Sequence, residues 1–143
     1  MIVLDTNVIS EVLRHREASP VTHWFDSQPA TELYLCAPVL AELEYGVRRM
    51  PASDRQNEIR LRIDRLASDV FLGRVLSFDI PAAVEYGQIV AERERRGRPI
   101  AVMDAIIAAI AKSNNARVAT RNVRDFDLTG VSVVNPFTDS ANT

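Results

Sequence analysis

Cys36 is the only cysteine in 143 residues, so no disulfide framework holds this chain and its fold must rest on a packed core. The 5 glycines and 7 prolines are too few for a collagen-like or linker-like chain. Histidine is scarcer still. His15 and His23 are the only two, they lie among polar or surface-helix residues, and their spacing fits no zinc site. No apolar run approaches the ~20 residues that a bilayer demands. The most apolar stretch, Ile100–Ala111, is interrupted by Asp104 and followed by Lys112. Met1–Leu4 gives way at once to Asp5 with no basic leader, so no signal peptide is expected, and the lone cysteine fits a reducing cytoplasm. GxGxxG, Walker and nucleophile-elbow motifs are all missing. A net charge of −2 excludes a nucleic-acid binder that works by bulk positive charge. Lysine is nearly absent: of 17 basic residues Lys112 is the only one, so the others are all arginine. Either a GC-rich genome or a need for the planar fork that matches a phosphate accounts for that bias.

What is present reads as a globular domain. Hydrophobic residues make up 47% of the chain and charged residues 25%, which excludes disorder, and the length favours a single domain. Short runs of Val, Ile and Leu mark buried parallel strands at Ile2–Leu4, Leu33–Cys36, Arg74–Leu76 and Arg117–Ala119, with a fifth at Val131–Val134. Helical stretches lie between them. Ser19-Pro20 places a cap before a proline, and Ala37-Pro38 opens a helix through Leu40, Leu43 and Val47. Ser53 with Gln56 forms a capping box ahead of a helix over 54–70. Further helices span about Pro81 to Arg96, stopped by Gly97, and Ile100–Asn114, with Asn114-Asn115 as the C-terminal cap. Strands alternating with helices predict a single α/β domain with a mostly parallel sheet of about five strands flanked by helices.

Three carboxylates stand where surface charge does not belong. Asp5 follows the first apolar strand, at the carboxyl edge where open α/β sheets bind ligands, although capping a helix over Thr6–Leu13 is another use for it. Glu42 is flanked by apolar side chains, whereas Glu44 reads as its solvent-facing neighbour, and Gly46, one turn on, leaves space beside it. An ordinary boundary glutamate is the plainer reading of Glu42. Asp104 interrupts a helix that is apolar on nearly all sides, which predicts burial and therefore a partner or a cation. Its place near the helix start, where the dipole favours an anion, is the competing explanation. Three such carboxylates on separate elements can converge on one cation, and all-oxygen ligands select Mg²⁺ or Mn²⁺.

Asp5-Thr6-Asn7, Ala41-Glu42-Leu43 with Gly46, Asp104-Ala105-x-Ile107-Ala108-Ala109, and Ala119-Thr120-Arg121-Asn122-x-x-Asp125-Phe126 occur in that order. Together they resemble the PIN-domain ribonuclease toxins of the VapC/FitB type, over essentially the whole chain to Asn135-Pro136-Phe137, with the FitB-like branch the better match. The resemblance implies a Mg²⁺-dependent endoribonuclease that hydrolyses RNA phosphodiester bonds with a metal-activated water. It places the catalytic and metal-binding roles on Asp5, Glu42 and Asp104. Thr6, Asn7 and Thr120 are expected to make polar contacts around these ligands, and Arg121 to lie beside the site near substrate. The family's fourth acidic position falls on Asn122, which lowers the charge available to a second metal; Asp125 either substitutes for it or caps a short helix. The implied partners are RNA, a small antitoxin whose C-terminal segment fills the acidic groove, and a second copy of the chain, with DNA met only through the antitoxin.

The arginines form three groups: Arg48, Arg49, Arg55, Arg60, Arg62 and Arg65; Arg93, Arg95, Arg96 and Arg98; and Arg117, Arg121 and Arg124. Each is either a phosphate-binding patch or, with interleaved Glu58, Asp64, Glu92 and Glu94, a solvated helix face. No aromatic ladder marks a base-stacking surface. A small-molecule phosphohydrolase is poorly equipped, lacking Asp-x-Asp after the first strand. A catalytically weak PIN-like module that binds RNA or an antitoxin is the alternative that Asn122 keeps open.

Overall fold

A computed structural model describes residues 1–14 and 19–138; His15 lies outside them. The chain runs β1 (Ile2–Leu4), α1 (Thr6–Arg14), α2 (Pro20–Ser27), β2 (Leu33–Cys36), α3 (Ala37–Arg49), α4 (Asp54–Arg65), β3 (Val75–Leu76), α5 (Ile80–Arg95), α6 (Val102–Ser113), β4 (Arg117–Ala119) and β5 (Val133–Val134). Short 3₁₀ turns at Ala30–Glu32 and Val123–Phe126 and a π turn at Leu66–Val70 complete it. The five strands form one sheet in the order β3-β2-β1-β4-β5, and every pair is parallel. β1, at the centre, is buried throughout, as are Leu35, Val118 and Ala119 in the flanking strands. A strand covered on both faces has no solvent side to leave polar, which is why these segments read as uninterrupted apolar runs.

Three of the five strands have the expected limits, and the two that differ do so for local reasons. Arg74 stays outside β3 because its N–H still donates back to the Phe71 carbonyl (2.8 Å), although its own carbonyl already accepts from Leu35 in β2 (3.0 Å); its guanidinium donates to the carbonyls of Ala30, Leu33 and Val70. β5 starts at Val133 because the chain before it is still turning. Gly130 has φ +79°, the buried Thr129 hydroxyl donates to the Phe126 carbonyl (2.6 Å), and the Val131 N–H donates back to that hydroxyl.

The helix expected over 54–70 ends at Arg65 and passes into the π turn, closed by the Phe71 N–H donating to the Leu66 carbonyl (2.7 Å). The extra residue in that turn puts both Leu66 and Phe71 into the core. Only half of the Ser53–Gln56 capping box forms. Ser53 Oγ accepts from the Gln56 N–H, but the Gln56 amide reaches the carbonyls of Val47 and Met50 instead. Ser19 caps α2 through the Thr22 N–H, and Asn115, at φ +54°, ends α6 in the left-handed region.

Candidate metal and active site at the sheet switch point

The chain leaves β1 toward β2 and returns to β1's other side only at β4. The crevice between the carboxyl ends of β1 and β4 is thus the switch point where doubly wound sheets bind ligands. Asp5 and Thr120 are the first residues past those two strands. The Asp5 N–H still donates to the Ala119 carbonyl (2.9 Å), which extends the ladder by one bond and fixes the start of the Asp5 side chain.

Asp5 is 4% exposed and Thr120 is fully buried. Three donors hold the Asp5 carboxylate. The Thr6 N–H meets Oδ1 at 2.7 Å, while Oδ2 accepts from Thr120 Oγ1 at 2.7 Å and from Asn7 Nδ2 at 3.2 Å. The Thr6 hydroxyl donates to Glu42 Oε1 (2.7 Å), which ties α3 to the end of β1. Glu44 turns away and pairs with Arg48, as its place on the helix predicts. Thr6, Glu42 and Gly46 line an open groove that continues over Leu43, Ile59 and Ile63.

Asp104 departs from expectation in one respect. It is half-buried rather than buried, because it occupies the first turn of α6, where Val102 is still 64% exposed; full burial begins at Ala105. Its pKa is nevertheless pushed up to about 6, first by desolvation and then by the charges of Asp5, Asp125 and Glu42, with Arg93 opposing. Asp5 moves the same way: burial raises it more than its hydrogen bonds lower it, and Glu42 adds to the rise. Even the buried Cys36 thiol is lifted to about 12, by burial first and in part by Asp5 and Glu42, so it is inert as a nucleophile. Elements far apart in sequence therefore bring Asp5, Glu42, Asp104 and Asp125 within electrostatic reach of one another.

Among the described residues no three Asp, Glu, His or Cys side chains form a ready cation cage. The donor set still fits one kind of ion. It is all oxygen, the charges of Asp5, Asp125 and Glu42 disfavour ionisation of Asp104, and no hydrogen bond contributes to the state of Asp104. That suits a hard divalent cation that keeps part of its water shell and takes only one or two carboxylates directly. Asn122 is exposed, and its N–H donates to Thr120 Oγ1 (3.0 Å). Asp125 lies within the 3₁₀ turn and does not cap it; Asn122 holds the capping position, without a side-chain bond.

Arg93 was grouped with surface arginines by sequence, and the structure corrects this. It is 4% exposed. Its guanidinium donates to four main-chain carbonyls: Arg98 (2.6 Å) and Pro99 (3.4 Å) ahead of α6, and Asp125 (2.9 Å) and Asp127 (2.6 Å) after β4. It thus clamps the segment that leads into α6, the helix of Asp104, to the turn that carries Asp125. The missed signal was periodicity, since Ala82, Ile89 and Arg93 share the buried face of α5. Arg95 and Arg96 remain on the surface, both paired with Glu92.

Comparison with known proteins agrees with this fold. Residues 2–131 match the PIN domain family. The chain is 40% identical to Toxin FitB of Neisseria gonorrhoeae, across 97% of this chain and 100% of that protein. It is 38% identical to VapC ribonuclease Y4jK of Sinorhizobium fredii, across 96% and 98%. The solved structure of FitAB bound to an IR36 DNA fragment superposes with a TM-score of 0.88 at 39% identity, covering 96% of each chain. PIN-domain ribonucleases generally depend on a divalent metal. With its sheet order, its switch-point carboxylates and these relatives in agreement, the chain belongs to the PIN-domain family, among its VapC- and FitB-type toxin ribonucleases.

Proposed function

We propose that this protein is a Mg²⁺-dependent endoribonuclease and the toxin of a toxin–antitoxin pair, cutting RNA phosphodiester bonds at the β1–β4 switch point. The observation that carries the proposal is the gathering of Asp5, Glu42 and Asp104 at that edge, where the charges of Asp5 and Glu42 raise the pKa of Asp104 and Glu42 adds to the rise of Asp5. Asp5 and Asp104 are the residues that would hold Mg²⁺ or Mn²⁺, with Glu42 beside them. When bound, such an ion makes water more acidic and offsets the negative charge that builds on a phosphate under attack.

The chain's own side chains prepare the rest. Thr120 and Asn7 keep Asp5 Oδ2 in one orientation and the Thr6 N–H holds Oδ1, so the carboxylate does not swing away from the crevice. Glu42 is fixed through Oε1 by the Thr6 hydroxyl, which leaves Oε2 to orient an attacking water. Asn122 stands where a fourth carboxylate would add charge, which leaves less negative charge for a second ion.

The proposed partners are RNA as substrate, a small antitoxin protein and a second copy of the chain. The FitAB–DNA complex supports DNA contact through the antitoxin, and the proposed compartment is the cytoplasm. Among the described residues no helix is long and apolar enough to cross a membrane.

Purified protein incubated with structured RNA, in Mg²⁺ or in EDTA, tests this reading beside Asp5→Asn and Asp104→Asn. Cleavage that needs Mg²⁺ and falls more than about 100-fold in both variants is expected, because each removes a charged ligand. RNA bound but never cut, in any condition, would replace the nuclease by a binding module.

A further inference from the structure

Most arginines whose contacts are described here are already engaged. Arg48, Arg95, Arg96 and Arg98 pair with carboxylates, and Arg62, Arg74 and Arg93 donate to main-chain carbonyls. Arg121 differs. It follows Thr120 directly, and its N–H donates to Asn7 Oδ1 (3.1 Å), while Asn7 donates to Asp5. Its main chain is therefore one side chain removed from the acidic centre. Its guanidinium pairs with no carboxylate among the described residues and lies over Phe137, with the central carbon 3.9 Å from the ring centroid.

The ring is itself held in place. The Thr120 N–H donates to the Val134 carbonyl at the end of β5, Asn135 Oδ1 accepts from the Phe137 N–H, and Pro136 between them is buried. The result is an exposed planar cation, braced from below by an aromatic face, with its N–H edge uncommitted among the described residues.

An acidic centre repels a polyanion, and a braced cation at its rim reverses that repulsion locally. Stacking limits the freedom that a lone surface arginine would lose on binding, and the N–H fork matches two phosphate oxygens. We propose that the Arg121–Phe137 stack is a docking plate for an RNA backbone phosphate next to the bond that is cut. Arg121 grips the phosphate and Phe137 fixes the plane of the grip. This rests on the nuclease reading and adds to it the pair that positions substrate.

The test uses the full chain with Arg121→Ala, Arg121→Lys and Phe137→Leu. Cleavage kinetics in Mg²⁺ are measured beside fluorescence anisotropy of a labelled single-stranded RNA, the latter in an Asp104→Asn background across about 50 to 200 mM salt. Arg121→Ala is expected to raise KM about tenfold, with kcat within about twofold of the parent, and to reduce the salt slope of binding by about one. Phe137→Leu shifts KM in the same direction by less, and Arg121→Lys restores only part of the loss because it lacks the fork. Mn²⁺ binding, followed by electron paramagnetic resonance, stays at the parent value in all three.

An unchanged KM with an unchanged salt slope overturns the plate, as does a loss confined to kcat or to Mn²⁺ binding. So does a defect seen only with an acidic peptide in place of RNA. If no protein cleaves RNA, anisotropy still decides: binding that depends on Arg121 keeps the plate while the nuclease reading fails, and binding indifferent to Arg121 removes it.

Discussion

The Thr120 hydroxyl donates to Asp5 Oδ2 and accepts from the Asn122 N–H, both within a fully buried position. Thr120→Val keeps the shape and deletes both bonds. We expect it to cost about 1–3 kcal/mol in urea unfolding, because the buried Asp5 Oδ2 loses the nearer of its two donors and the Asn122 N–H loses its acceptor. Mn²⁺ affinity should fall about tenfold with it, since Asp5 is then held by two donors, the Thr6 N–H and Asn7, instead of three.

Asp104 makes the opposite kind of prediction. Its pKa rises in the fold to about 6 from an ordinary value of 3.8, so the folded state takes up a proton that the unfolded chain does not hold between those values. The contribution of this group is therefore largest below about pH 4 and is lost as pH rises through 6. In EDTA, Asp104→Asn should be more stable than the parent at pH 7.5 by about 1 kcal/mol, discounted for solvent screening of a half-exposed side chain, and the gap should narrow through pH 6 and close only toward pH 4. A parent that is the more stable at pH 7.5 would contradict the repulsion described among these carboxylates. Asp5, Glu42 and Asp104 were legible in the sequence because each interrupts an apolar context. The depth of Asp104 was not, because helical periodicity averages over a whole helix and this residue sits in its first, frayed turn.

At the scale of elements, legibility follows from burial. Strands β1, β2 and β4 are covered on both faces, so composition alone marks their limits. Where the limits moved, at Arg74 and Thr129, a hydrogen bond back to a carbonyl three residues earlier keeps the chain in its turn, and an apolar run does not reveal that. Arg93 is the extreme case. Read beside Glu92, Glu94, Arg95 and Arg96 it looks like solvated charge, yet it joins the turn before α6 to the turn after β4.

Arg93→Met removes the donor from four part-buried hydrogen bonds. It should lower stability by about 2–4 kcal/mol, read as a shift in urea midpoint at constant slope. Arg93→Lys should recover only part of that, since an ammonium cannot span both turns as a fork does. Faster amide exchange near residues 98–101 and 125–128 should accompany the loss, and exchange unchanged there would mean the clamp does not hold these turns together.

Across the whole molecule the net charge of −2 conceals a sorted distribution. Carboxylates collect at the sheet's switch point, while many arginines bind carbonyls or helix carboxylates elsewhere. Part of the preference for arginine over lysine is thereby structural, because the planar fork reaches two carbonyls at once. What the order of short motifs conveyed was the family and its edge of the sheet. What it did not convey was the Arg121–Phe137 stack, whose partners lie on turns after different strands and meet only through the β4–β5 pairing.

The central claim is that Asp5, Glu42 and Asp104 gather a divalent cation for RNA cleavage. Crystals soaked in Mn²⁺ test it most directly, by anomalous difference density collected at the manganese edge for the parent and for Asp104→Asn. We expect a peak in contact with Asp5 and Asp104 in the parent, and its loss or marked weakening in the variant under the same soak. A peak on other side chains, or an equal peak in the variant, would contradict the claim.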